Sequence, residues 1–182
     1  LIAGALSKRY ARALVEAVAE PRDLEAAGRD LQAFAQLLRD QPDLRALFAN
    51  PGVQRRDKEA ILKRLTAALE LGPLVATFLE LLLEKGRLGH LETIVHVYRD
   101  LVDERLGRMR AEVATAAPLE EAVGPRLAQR LAAVAGKPVV LETKVDPGLL
   151  GGMVAWIGGT VYDGSLRAQL AQVREQLLRG SS

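Results

Sequence analysis

Glycine divides this chain. Six glycines lie in residues 1–106 and ten in residues 107–182, and the hydrophobic period changes at the same place. Upstream of Gly107 apolar residues return every three or four positions, as on a helix face; downstream they alternate, as on a strand, between tight turns. Two periods in two successive blocks predict an α+β protein: an all-α six-helix bundle over 1–106 and a small α+β domain with a β-hairpin over 107–182. Blocks of that length can each bury a modest core.

In the first block a helix is predicted from about Ala3 to Ala19, with Ile2, Leu6, Tyr10, Ala13, Leu14 and Ala17 on one stripe and further small apolar residues (Ala5, Ala11, Val15, Val18) around it. A second helix follows Pro21 and ends before Gln41-Pro42, and a short third runs from Pro42 to Ala49 and stops at Asn50-Pro51-Gly52. The fourth spans about Arg55 to Leu71, with Ile61, Leu62, Leu65 and Leu69 inward. The fifth, Pro73 to Lys85, is apolar around most of its circumference, so it must be covered on more than one side, by the bundle or by a partner. The sixth runs from about Leu88 past Arg105. Short connections between them favour antiparallel neighbours.

In the second block Ala111, Val113 and Thr115 alternate as a strand. A helix is predicted from Pro118 to Ala135, kinked or divided by Gly124-Pro125. Val139 to Val145 is the next strand, and Met153 to Ile157 pairs through a Gly158-Gly159 turn with Thr160 to Tyr162. Ser165 is placed to cap a last helix whose seam is Leu166, Leu170, Val173 and Leu177.

The residues offer little chemistry. There is no cysteine, which removes disulfides, thiolate catalysis and cysteine zinc sites. His90 and His96 do not share a helix face, whereas helical metal pairs stand three or four residues apart. Gly136-Lys137-Pro138 lacks the glycine loop that cradles phosphate, and no serine sits in a nucleophile elbow. Adjacent carboxylates such as Glu120-Glu121 and Asp103-Glu104 project apart. No cofactor is expected.

Charge excludes more. With 25 basic residues interspersed among 23 acidic ones and 4% aromatics, the basic clusters Lys8-Arg9, Arg55-Arg56 and Arg105/Arg108/Arg110 lack the stacking groups of a nucleic-acid site. Leu71 to Leu83, the longest apolar stretch, is interrupted by Glu80 and falls short of the roughly 20 residues that span a bilayer. Leu1 to Glu20 carries charges within its apolar pattern and reads as a mature helix, with the missing initiator methionine taken as processing or as expression design. What remains is surface for protein: helix five, the small-residue face of helix one and the seam of the last helix suit a partner's amphipathic helix.

Several segments then fall into a known order. Ser7-Lys8-Arg9-Tyr10-Ala11-Arg12-Ala13-Leu14, Asn50-Pro51-Gly52-Val53 with Lys58 and Ile61-Leu62, and Gly86-Arg87-Leu88 with Leu91, Ile94 and Tyr98 come first. Asp146-Pro147-Gly148-Leu149-Leu150-Gly151-Gly152 and Asp163-Gly164-Ser165-Leu166-Arg167 close the chain. Together they resemble the delta subunits of bacterial F-type ATP synthases, counterparts of the mitochondrial oligomycin-sensitivity-conferring protein. The chain departs from that pattern at Gly158-Gly159, where the turn is usually more polar, at Ala168, where glycine is common, and at Gly124-Pro125.

The resemblance implies a six-helix bundle followed by a small α+β domain, and a non-catalytic stator role joining the catalytic head to the peripheral stalk against rotor torque. It implies one monomeric copy per complex, at the cytoplasmic face of the bacterial inner membrane, without direct membrane insertion. It points to Tyr10, Ala13, Leu14 and Ala17 with Val75, Phe78, Leu79 and Leu82 as a groove for the alpha-subunit amino-terminal helix. Leu149, Leu150 and Met153 are pointed to as the contact for the stalk b subunits. An RNA- or ribosome-associated α+β protein is the alternative reading.

Overall fold

A computed structural model describes residues 2–120, 122–157 and 160–170. The chain falls into two compact units, Leu1–Val102 and Asp103–Ser182.

The first unit is helical: α1 Ile2–Ala17, α2 Pro21–Asp40, α3 Pro42–Ala49, α4 Arg55–Ala68, α5 Pro73–Glu84 and α6, which starts at Leu91 and ends at Arg105. Proline opens α2, α3 and α5, where its missing N–H costs no intrahelical bond. The sixth helix starts later than its periodicity predicts, because Leu88–His90 forms a separate 3-10 turn. The fourth is shorter than predicted. It ends at Ala68, and Glu70 takes the left-handed conformation (φ 52°) while the Leu71 N–H bonds to the Thr66 carbonyl at 3.0 Å. This is the close of a Schellman motif, built without glycine.

Helices α4 and α5, α2 and α3, and α2 and α5 pack together, and the 3-10 turn lies on α3 and α5. Leu24, Leu31, Phe34, Leu62, Leu79, Leu82, Ile94 and Tyr98 form the core. Two polar ties fix it. The Tyr98 hydroxyl donates to the Leu24 carbonyl at 3.0 Å, and the Gly72 N–H opening α5 donates to Asp30 Oδ2 at 2.8 Å.

The second unit holds a mixed sheet of β1 Met109–Thr115, β2 Val139–Val145, β3 Met153–Ile157 and β4 Thr160–Asp163, in the order β2-β1-β3-β4. β1 and β2 are parallel, joined through helix α7 Val123–Ala135, which packs on β2; β3 runs antiparallel to β1 and to β4. The crossover through α7 is the connection a parallel pair requires.

The helix predicted from Pro118 is corrected in both extent and shape. It begins at Val123, so Gly124 and Pro125 fall in its first turn. A proline there removes no ladder bond, so it neither kinks nor divides the helix. Gly158-Gly159 lies outside the described residues, but the strands that flank it pair from Ile157 to Thr160. Val173 and Leu177 also lie outside. The cap at Ser165 is present: its Oγ accepts from the Ala168 N–H at 3.2 Å at the start of the helical stretch 166–170.

Candidate partner-binding surfaces

Helix α1 carries two overlapping apolar stripes, and periodicity leaves open which one turns inward. The bundle buries Ser7, Ala11, Leu14, Val15 and Val18. Of the residues predicted to share one stripe, Leu14 is in the core, Leu6 and Tyr10 are half-buried, and Ala13 and Ala17 are exposed. The side chain of Ile2 lies outside the described residues. Tyr10, Ala13 and Ala17 therefore form a mild apolar flank beside the core face.

On α5 the same question has a sharper answer. Val75, Phe78, Leu79 and Leu82 are buried within the bundle, so they support the helix from inside and do not line an open groove. The outward apolar residues are Leu74 (38% exposed) and Leu81 (40%), two turns apart on one face with Thr77 between them. They were missed because a helix apolar all round gives no phase. The signal available in the sequence was the polar Thr77 within that stripe.

In the second unit Asp146 Oδ1 accepts the Gly148 N–H at 2.9 Å and starts a 3-10 turn, Pro147–Leu149. Leu150 closes it in the left-handed region (φ 60°) and is 71% exposed, whereas Leu149 and Met153 are half-buried. The next residues run against the loop that follows β4. The Leu166 N–H donates to the Gly151 carbonyl at 3.0 Å and the Gly164 N–H to the Met153 carbonyl at 2.9 Å. A Cβ on Gly152 would lie 2.3 Å from the Gly164 carbonyl oxygen, so this close approach requires glycine. The lock brings exposed Leu150 next to Leu166, with exposed Leu170 one turn further along.

A second surface of this unit was not anticipated. Glu112 of β1, Trp156 of β3 and Val161 of β4 are register partners on one face, and Trp156 and Val161 are both exposed. The alternation around Ala155 was the sequence signal for it.

Charge near these surfaces is held locally. Asp163 accepts the Ser165 N–H at 2.9 Å, and this backbone bond, with a second from the Ser165 side chain, holds its carboxyl below the usual range. Among the described residues no group of three histidine, cysteine or acidic side chains is placed to hold a metal ion. His96 faces Asp100 at 3.9 Å on the exposed side of α6.

Comparison with known proteins gives these surfaces a context. The family model for the ATP synthase delta (OSCP) subunit matches residues 6–177. The ATP synthase subunit delta of Anaeromyxobacter sp. (strain Fw109-5) is 42% identical over 177 residues, covering 97% of this chain and 99% of that protein. The ATP synthase subunit delta of Citrifermentans bemidjiense is 40% identical over 176 residues, covering 97% and 98%. Among solved structures, a chain of the Toxoplasma gondii mitochondrial ATP synthase hexamer superposes with a TM-score of 0.67 at 22% identity, covering 95% of this chain and 97% of that one, which is a likeness of fold.

Proposed function

The chain belongs to the ATP synthase delta (OSCP) subunit family, and from that membership we propose that its two units hold the catalytic head and the peripheral stalk of that enzyme together. It is a non-catalytic stator subunit of the ATP synthase, and proton transport belongs to the complex as a whole. The RNA- or ribosome-associated reading finds no support among these relatives.

The finer assignment is that the first unit receives the amino-terminal helix of an alpha subunit and the second receives the b subunits. One observation carries it: each compact unit has its own exposed apolar surface, Leu74 and Leu81 in the first and Leu150, Leu166 and Leu170 in the second. Both suit an amphipathic partner helix, whose apolar face would desolvate them. In this reading Tyr10, Ala13 and Ala17 of α1 meet the same partner helix. Leu14, Val75, Phe78, Leu79 and Leu82 shape the first surface from beneath. Leu149 and Met153 do the same beneath Leu150.

No described helix is long and apolar enough to cross a membrane. In this reading the subunit reaches the cytoplasmic face of the inner membrane only through the complex, as a single copy.

Calorimetric titration with a synthetic alpha-subunit amino-terminal peptide and with a soluble b-subunit fragment tests the assignment. Leu81→Asp should weaken the peptide by about tenfold or more and leave the b fragment unaffected, since a charge buried by a partner is costly. Leu150→Asp should do the reverse. Unchanged binding of both partners by both folded variants would refute the assignment.

A further inference from the structure

The first unit contains a cavity that neither partner surface uses. It lies between α3, the 50–54 connection, the start of α4, the end of α5 and the 3-10 turn, and has a volume of about 720 Å³. That is the size of a small-molecule site, about 300–1,000 Å³.

Its wall is apolar and its rim is cationic. Leu38, Phe48 and Leu88 line it with side chains that are otherwise buried in the bundle. Arg45, Arg55 and Lys58 stand around it with one carboxylate, Glu84. The charge of Arg55 is balanced by Glu59 at 2.6 Å and Glu84 at 3.9 Å. Lys58 donates to the Asn50 carbonyl at 2.7 Å, a neutral acceptor that leaves its charge uncompensated. The Arg45 side chain makes no ion pair or hydrogen bond among the described residues.

A dry wall beside two uncompensated cations selects for a ligand with an apolar body and an anionic end. A cation would meet Arg45 and Lys58, and a wholly polar anion would leave the accessible apolar lining of Pro51, Val53 and Leu83 uncovered. We propose that this cavity binds an anionic amphiphile, its apolar body against Pro51, Val53 and Leu83, with Leu38, Phe48 and Leu88 as the floor beneath, and its anionic group at Arg45 and Lys58. The proposal is independent of the stator assignment, because none of these residues belongs to the two partner surfaces.

The test uses the full chain, with dodecanoate below its micellar concentration as probe. Backbone amide shifts of Phe48, Val53 and Leu88 should move saturably. Dodecanol and dodecyltrimethylammonium, which share the apolar body, should bind more weakly. Arg45→Gln and Lys58→Gln should each lower dodecanoate affinity by about tenfold or more, the worth of one charge-assisted hydrogen bond.

A filling variant guards against misreading. A Cβ at Gly89 meets no other atom within 4 Å, and Gly89 lines the cavity. Gly89→Leu should therefore fold normally and abolish binding. Equal affinity for dodecanol, unchanged binding in the glutamine variants or in Gly89→Leu, or shifts centred on Leu74 and Leu81 would each overturn the proposal.

Discussion

Asp103 grips Arg110 with both carboxylate oxygens, Nε to Oδ2 at 2.8 Å and Nη2 to Oδ1 at 3.1 Å. The same carboxylate accepts Arg108 Nε at 2.7 Å, and Arg110 reaches on to Glu142 of β2. Gly107 makes this possible. In the left-handed conformation (φ 62°) it turns the chain between Asp103 and β1, with the Arg108 N–H on the Asp103 carbonyl at 3.0 Å.

Asp103→Ala removes the carboxylate that Arg108 and Arg110 share, while Arg110 keeps Glu142. The Asp103 side chain is only 8% exposed, but the arginines are partly solvated, so the expected loss is about 2–4 kcal/mol, at or below that of a broken buried pair. Trp156 is the only tryptophan and sits on β3, so its fluorescence in a urea titration reports the second unit.

Gly152→Ala should cost about 2–4 kcal/mol by the same probe, since φ is +78° and the new methyl would strike the Gly164 carbonyl, a backbone atom without freedom to swing away. A neutral result would mean that the loops part easily.

Phe78→Ala and Leu81→Ala separate core from surface on one helix. Phe78 is 6% exposed and Leu81 is 40% exposed. Truncating Phe78 should cost about 3–5 kcal/mol, as for a buried aromatic, and truncating Leu81 about 1 kcal/mol or less. Thermal unfolding by circular dichroism reads both. Equal losses would contradict the inward and outward faces assigned to α5.

Glu70→Gly should stabilise the first unit by a few tenths to about 1 kcal/mol, because a left-handed position costs any side chain more than glycine, offset in part by the looser unfolded chain. The chemical-denaturation midpoint should rise.

Asp163 supplies a pH dependence. Its folded pKa is depressed by the Ser165 N–H and hydroxyl. The stability it contributes is therefore present above the unfolded carboxylate value of about 3.9 and is lost as pH falls through the lower folded value. Asp163→Asn, which keeps the acceptor, should flatten this acid limb in a titration followed by NMR of the Ser165 amide.

Much of this fold was legible. Prolines opened three helices where expected, the strands fell where apolar residues alternate, and Ser165 capped the helix it precedes. The sequence misled where a local rule had two solutions. Gly124-Pro125 breaks a helix interior but suits a first turn, and only the start at Val123 decided between them. On α1 one apolar stripe was read where two overlap, and the bundle buries Ser7, Ala11, Leu14, Val15 and Val18.

The chain alone determined its elements, because helix and strand periods, proline positions and caps are properties of neighbouring residues. Its family, too, was carried by short motifs in their order. Tertiary structure decided which face of α1 and of α5 is buried, since an apolar helix has no intrinsic inside. It also joined Asp103 to Glu142 through Arg110, set Gly152 against Gly164, and left Leu81 outside while Phe78 went in. Those outcomes depend on what packs against a residue, which no local pattern records.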